Sequence, residues 1–372
     1  MIGSFKKRAV GEISLNHQTF MRRCLQLAQQ GMGHVAPNPI VGSLLVHNNK
    51  IIAEGYHTRF GGPHAEVNTL ANITAPEILA ESTLYVSLEP CSHHGKTPPC
   101  ANLIIEKGIK NVVVACTDPN PQVAGRGIKL LQNAGVNVIT GVLENEAIAL
   151  NRRFVTFHSN KRPYIILKWA QTADGYIDKV RKAGETGIVT QVSSLPSHRL
   201  VHLWRSHEQA ILVGKNTVVN DNPALTVRLV DGNNPIRIVI DSNASLSGKL
   251  KIFDGEVPTL VINQKQAKVS PEAEWVKLNT EQNLLDGLME ELYRRNITSI
   301  LVEGGAETLN HFIAAGLWDE ARIFTAPIHF KDGVKAPIIP PLSGLTSITH
   351  HSGLDVLHIV YKTTFAPPCI PM

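Results

Sequence analysis

Apolar residues recur at helical spacing over 19–30, where Met21, Cys24, Leu25 and Ala28 share one face and Gly31 ends the run. A loop, HVAPNP, leads into the short apolar strand 41–46. The tetrapeptide His47-Asn48-Asn49-Lys50 supplies a turn, and 51–53 reads as the returning strand. Pro63 suits the first position of a helix that runs to about Ala71 and carries His64 and Glu66 in its first turn. Residues 83–88 form a strand ending just before Pro90 and Cys91. Cys100 then opens a helix over 101–107, stopped by Gly108. Strand 112–116, the turn DPNP, helix 127–134 and strand 136–139 follow. Strands separated by helices in this way predict a sheet covered on both faces, an α/β/α sandwich.

Over 150–162 the text NRRFVTFHSNKRP turns basic and polar and reads as a border. The expected organisation is an extension over 1–16, one domain over 17–158 and a second over 159–372. The second opens on the β-prone run 164–170, closed by TADG. Further strands are predicted at 210–214, 236–240, 259–262, 299–302, 322–325 and 357–362, with helices through 200–205, 283–295 and 308–315. One junction there carries chemistry, SILVEGGAETLNHF. A strand ends in Glu303, Gly304 and Gly305 let backbone amides approach a phosphate, and the following helix start favours an anion. A plain strand-to-helix turn is the competing reading, and two glycines do not decide between them.

Composition narrows the class. A chain of 372 residues suits two domains, and 43% hydrophobic with 18% charged residues marks a soluble globular protein. The longest apolar runs, such as 164–167, fall far short of the roughly 20 residues that span a bilayer. The basic start lacks the long apolar segment of a secretory signal. Five cysteines, an odd count, suit a reducing cytosol better than a disulfide framework. A cytoplasmic protein is therefore expected, without membrane partners. The net charge of +5 suits a phosphorylated small ligand. No basic run interleaved with aromatics points to nucleic acid. A homo-oligomer is the expected state.

The densest chemistry lies between His64 and Cys100. Zinc favours nitrogen and sulfur ligands, and a catalytic site leaves one of four positions for water. His64, Cys91 and Cys100 supply three ligands, and Glu66 is the natural proton carrier beside them. His-x-Glu followed by Pro-Cys and a second Cys is the pattern of zinc-dependent nucleobase deaminases. Enzymes of that group acting on nucleic acid usually place two residues between the cysteines, whereas eight stand here, SHHGKTPP. A closed structural site completed by His93 or His94 is the alternative. Asp118 and Asn120 sit just past a strand's carboxyl end, where open α/β sheets place ligands. Turn chemistry explains that pair equally well.

The segments PNPIVG, GYH, HAE and EPCSHHGKTPPC together resemble the deaminase half of the bifunctional riboflavin-biosynthesis deaminase/reductases. The likeness covers about 19–142, and the eight-residue cysteine gap is typical of that family. It implies a cytidine-deaminase-like fold that removes the 2-amino group of 2,5-diamino-6-ribosylamino-4(3H)-pyrimidinone 5′-phosphate by hydrolysis. His64, Cys91 and Cys100 would hold zinc and Glu66 would shuttle protons. Asn38, His57, Lys96, Asp118 and Asn120 match positions that contact substrate.

LKWAQTADG, AILVGKNTVVNDNPALTVR, PIRIVIDS and VEGGAETL resemble the reductase half of the same family over about 162–362. This implies a dihydrofolate-reductase-like α/β fold and hydride transfer from NADPH that opens the ribosylamino sugar to a ribitylamino chain. Ala170, Thr217, Asp221 and Ser242 match NADPH contacts, as does the loop Gly305, Ala306, Glu307, Thr308, Leu309, Asn310 and His311. Lys168, Thr186, Arg205, Leu225, Arg228 and Glu303 match substrate positions. Arg205 and Arg228 are chemically suited to phosphate, which guanidinium forks bind bidentately. Where the family has Ser-x-Trp-Ile-Thr, this chain has Thr186-Gly187-Ile188-Val189-Thr190. Ile188 therefore takes the place of a tryptophan that packs on the cofactor.

Overall fold

In the computed structural model the described residues are 15–362, apart from 72, 74–75, 93–97, 121–122, 183 and 280. They fall into two compact units, one ending at Asn151 and one beginning at Arg152. The first contains α1 (Leu15–Gln29), β1 (Gly42–His47), β2 (Lys50–Tyr56), α2 (Ala65–Leu70), α3 (Pro76–Glu81) and β3 (Thr83–Val86). It continues with α4 (Cys100–Glu106), β4 (Asn111–Val114), α5 (Arg126–Asn133), β5 (Asn137–Thr140) and α6 (Glu144–Leu150). Asn48 and Asn49, both at positive φ (48° and 60°), close the β1–β2 hairpin. Asparagine tolerates that region better than most residues.

The sheet order is β2-β1-β3-β4-β5. Strand β1 is antiparallel to both neighbours, while β3, β4 and β5 run parallel. Side chains alternate between the faces. Leu44, Val46, Tyr85 and Val113 pack with α1 and α6. Leu45, Leu84, Val112 and Val114 pack with Leu79, Ile104 and Leu131 from α3, α4 and α5. Helices cover both faces, as the alternation of the sequence predicts.

The border falls seven residues before the one expected. The basic stretch forms a helix, α7 (Arg152–Asn160), that belongs to the second unit. Its composition hides two buried anchors. Phe157 is buried against the Tyr293 ring, 4.7 Å between centroids. Arg153 Nε donates to the buried carboxylate of Glu208 at 2.7 Å.

The second unit continues with β6 (Tyr164–Thr172), β7 (Tyr176–Asp178), α8 (Leu195–His207), β8 (Ala210–Gly214), α9 (Lys215–Asp221) and β9 (Ile236–Ile240). Next come β10 (Thr259–Asn263), β11 (Lys268–Val269), β12 (Glu274–Lys277), α10 (Leu284–Arg294), β13 (Ser299–Val302) and α11 (Ala306–Ala314). The last strands are β14 (Glu320–Ala326), β15 (Val334–Lys335), β16 (Thr346–Ser352) and β17 (Asp355–Tyr361). Ten strands form one sheet in the order β11-β12-β10-β9-β8-β13-β6-β14-β17-β16. Those from β12 to β14 are parallel. Helices α10 and α11 cover one face through Leu288, Leu292, Leu309 and Phe312. Helices α8 and α9 cover the other through Val201, Trp204 and Val218.

Beneath α7 lies a buried charge network. Glu320 accepts from Tyr164 Oη at 3.0 Å and from Arg322 Nε at 2.6 Å, with Arg152 at 3.3 Å. Burial alone would raise the Glu320 carboxyl. Arg322 and Arg152 more than offset that and hold it near 2, below the usual 4.5. A carboxyl depressed in the fold stabilises it above its unfolded value, and that contribution fades as pH falls towards the folded one. The second unit should therefore lose stability between pH 4.5 and about 2. Glu320→Gln should flatten the slope of stability against pH there by about one proton. Melting curves across that window check it, and an unchanged slope would place the acid sensitivity elsewhere.

Candidate active sites

Strand β3 delivers Ser87-Leu88-Glu89-Pro90 and then Cys91. His64 is the N-cap of α2, with extended backbone (φ −71°, ψ 165°), and Pro99 caps α4 so that Cys100 is its first residue. Three donor atoms converge there, all within 4.8 Å of one another. His64 Nδ1 lies 3.6 Å from Cys91 Sγ and 3.4 Å from Cys100 Sγ. A tetrahedron with Zn–N near 2.05 Å and Zn–S near 2.3 Å has N–S edges of about 3.6 Å. Spacing and ligand softness therefore both fit zinc. The Cys100 N–H donates to Cys91 Sγ at 3.3 Å. Hydrogen bonding from the Cys100 side chain, together with His64, pulls the Cys91 thiol pKa well down. Glu66, in the first turn of α2, is buried, and that burial pushes its carboxyl up to about 7.

His57 is 3% exposed and has both ring nitrogens engaged. Nδ1 donates to the Pro63 carbonyl at 2.9 Å, so in the neutral ring Nε2 accepts from Asn38 Nδ2 at 3.1 Å. Burial lowers its pKa and favours that neutral form. With both ring nitrogens so engaged, His57 orients the Asn38 amide. Asp118 and Asn120 are half-buried and joined by an Asn120 N–H to Asp118 Oδ1 bond of 2.8 Å. Lys96, like His93 and His94, lies outside the described residues.

In the second unit a cavity of about 1550 Å³ opens at the carboxyl ends of the parallel strands. Single-ligand pockets usually run to about 300–1,000 Å³, so there is room for a cofactor and a substrate together. Glu303, at the end of β13, receives both Arg205 Nε and Nη2 at 2.8 Å, and Lys168 Nζ stands 3.6 Å away. Burial opposes the Glu303 charge, but Arg205 and Lys168 outweigh it and hold the carboxyl near 2. Arg228 donates to Thr226 Oγ1 at 2.7 Å, and its backbone N–H donates to His202 Nδ1 at 2.9 Å. Burial, then the charges of Arg205 and Arg228, push His202 down to about 4, which keeps that nitrogen an acceptor. Leu225 lines the cavity at φ 55°. A bulky non-glycine residue at positive φ is uncommon.

The Gly304–Gly305 turn is tight. A Cβ on Gly304 would meet Thr308 Cβ at 2.8 Å, and the Gly305 N–H donates to Thr217 Oγ1 at 2.8 Å. Gly305, Ala306, Glu307, Thr308 and His311 face the cavity, as do Ala170, Thr217, Asp221 and Ser242. An amide-lined helix start beside small residues fits a phosphate-bearing cofactor. Four expected residues are placed otherwise. Leu309 is fully buried in the core, and Asn310 is exposed away from the cavity wall, because the helical period gives the cavity only one face of α11. Thr186 and Ile188 do not line the cavity, and Ile188 is 63% exposed.

Sequence reasoning missed the residue responsible for the placement of Ile188. Arg181 donates to the carbonyls of Ile188 (2.6 Å) and Asn220 (3.0 Å) and to the carboxylates of Asp178 (2.9 Å) and Asp221 (2.7 Å). It fastens the Ile188 segment to α9. A lone arginine in an irregular stretch gives no sequence signal of this kind.

Comparison with known proteins places both halves of the chain in known families. Residues 14–116 match the family described as the cytidine and deoxycytidylate deaminase zinc-binding region, and 163–351 match the RibD C-terminal domain. The chain is 41% identical over 325 residues to the riboflavin biosynthesis protein RibD of Aquifex aeolicus, covering 85% of this chain and 88% of that protein. The Synechocystis RibD is 39% identical, with 92% and 93% covered. Among solved structures, a Thermotoga maritima diaminohydroxyphosphoribosylaminopyrimidine deaminase/5-amino-6-(5-phosphoribosylamino)uracil reductase superposes with TM-score 0.82 at 37% identity, covering 93% of this chain and 98% of that one. Acinetobacter baumannii RibD gives 0.82 at 30% identity, with the same shares covered. The chain belongs to the RibD family of bifunctional riboflavin-biosynthesis enzymes, with a zinc-dependent deaminase in its first half and an NADPH-dependent reductase in its second.

Proposed function

We propose that the first half hydrolyses the 2-amino group of 2,5-diamino-6-ribosylamino-4(3H)-pyrimidinone 5′-phosphate, and that the second reduces the resulting ribosylaminouracil to its ribityl form. The observation that carries this reading is the buried Glu66 beside the His64, Cys91 and Cys100 donors. Zinc, when bound by those three, supplies an activated water for attack on the ring carbon. Glu66, raised to about 7, takes a proton from that water and returns one to the departing ammonia near neutral pH. Asn38, oriented by His57, offers its amide oxygen to a ring substituent. Asp118, Asn120 and Lys96 complete the substrate contacts.

In the second half NADPH, when bound, supplies a hydride to C1′ of the sugar. The C1′–ring-oxygen bond breaks and that oxygen takes up a proton. Lys168 and Arg205 stand beside Glu303 to position the sugar, and Arg228 takes the phosphate. Thr217, Asp221, Ser242 and the 305–308 turn hold the cofactor. On this reading the protein works in the cytoplasm as a homo-oligomer on small molecules, with neither nucleic acid nor membrane as partner. Among the described residues no helix is long and apolar enough to cross a membrane.

Purified protein given the diaminopyrimidinone phosphate and NADPH tests both steps. Ammonia should appear first, followed by loss of the NADPH absorbance band. NADPH consumption without ammonia release would refute the order. Cys100→Ser should lose zinc by metal analysis and deaminate at background rate, while already deaminated substrate is still reduced. Full zinc in that variant would overturn the ligand assignment.

A further inference from the structure

Glu89 has no assigned role, yet its side chain is a hub beside the deaminase site. It is 4% exposed and stands two residues before Cys91. Oε2 accepts the backbone N–H groups of Asp118 (3.1 Å) and Gly125 (2.9 Å). Oε1 accepts those of Gly127 (2.8 Å) and Ile128 (3.3 Å). Helix α5 begins there without a cap of its own: its N-cap is Gly125, in left-handed conformation. The carboxylate satisfies N–H groups that would otherwise be orphaned at that helix start. Contact is closest at Gly127, where an added Cβ would meet the Pro90 carbonyl oxygen at 1.9 Å.

We infer that Glu89 is a positioning residue for deamination, clamping the 118–120 segment against the Glu89-Pro90-Cys91 turn. It fixes the distance between the groups that meet the substrate and those that hold the metal. Only a carboxylate fills this role, since all four partners are donors and both oxygens must accept. A glutamine of the same shape turns its NH₂ towards two of them. The inference rests on the reading that Asp118 and Asn120 meet substrate.

Three measurements test it. In the wild type, the amides of Gly125, Gly127 and Ile128 should exchange slowly with solvent. Free-loop exchange rates there would overturn the clamp whether or not any variant folds. Glu89→Gln should lose that local protection, keep its zinc, and show a deaminase KM raised about tenfold or more with a smaller change in kcat. Zinc loss with kcat reduced at unchanged KM would mean that Glu89 supports Cys91 alone. Asn120→Ala should raise KM by itself, and combining it with Glu89→Gln should give less than the sum of the two effects. An unchanged KM in Asn120→Ala would defeat the substrate-contact reading separately, because the exchange result does not depend on it.

Discussion

Glu66→Gln should retain zinc and substrate binding while ammonia release falls by a factor of about 10²–10⁴, the usual contribution of a positioned general acid and base. Glutamine keeps the shape of the side chain and loses the titratable carboxyl that takes up and returns the proton. The buried carboxyl is raised to about 7 chiefly by its own desolvation. That value suits both halves of the task, since a group near the working pH can accept a proton and give it back. A weaker base would leave the water protonated, and a stronger one would hold its proton when ammonia departs. Reduction of already deaminated substrate should proceed at the wild-type rate, because the second unit encloses its own cavity. Deamination within tenfold of wild type would remove Glu66 from the mechanism.

Arg228→Ala should raise the reductase KM at least tens-fold with zinc content and deamination unchanged. Arg228 is bonded to Thr226 rather than to a carboxylate, and burial together with the Arg205 charge lowers its pKa. Two guanidinium groups repelling each other across one cavity are relieved by an anion between them. Losing a hydrogen bond to a charged group costs about 1.5–3 kcal/mol. Arg228→Lys should recover only part of the loss, since an ammonium presents no planar fork. The measurement is KM for the deaminated phosphate with NADPH saturating, and a wild-type KM would move the phosphate elsewhere.

The candidate zinc ligands are legible because two of them fall at a local signal: His64 after a proline at a helix start, Cys100 at the opening of another helix. The parallel strands of both units announced themselves as short apolar runs between helices. What escaped was decided by contacts distant in sequence. Residues 152–160 read as linker, because three basic and several polar residues mask Phe157 and the partner of Arg153. Family likeness alone suggests that Thr186 meets the substrate and Ile188 the cofactor. In this chain Arg181 fastens that segment to α9, and Ile188 stays exposed. Family likeness assigns Leu309 to the cofactor with the rest of 305–311, although helical period turns it into the core. Glu89 left no trace at all, because its partners are backbone amides, which every sequence possesses.

The position of α7 decides how the two activities can be separated into independent proteins. A gene divided at the compositional border, after residue 158, would hand most of this helix to the wrong product. The reductase would then keep Glu208 in its interior without Arg153, its charge partner. Stranding one member of a buried ion pair costs of order 3–5 kcal/mol. A domain's whole stability is about 5–15 kcal/mol. A viable division therefore runs ahead of Arg152, and natural or engineered fissions of such a chain are constrained to the short connection at Asn151 rather than to the polar text that follows it.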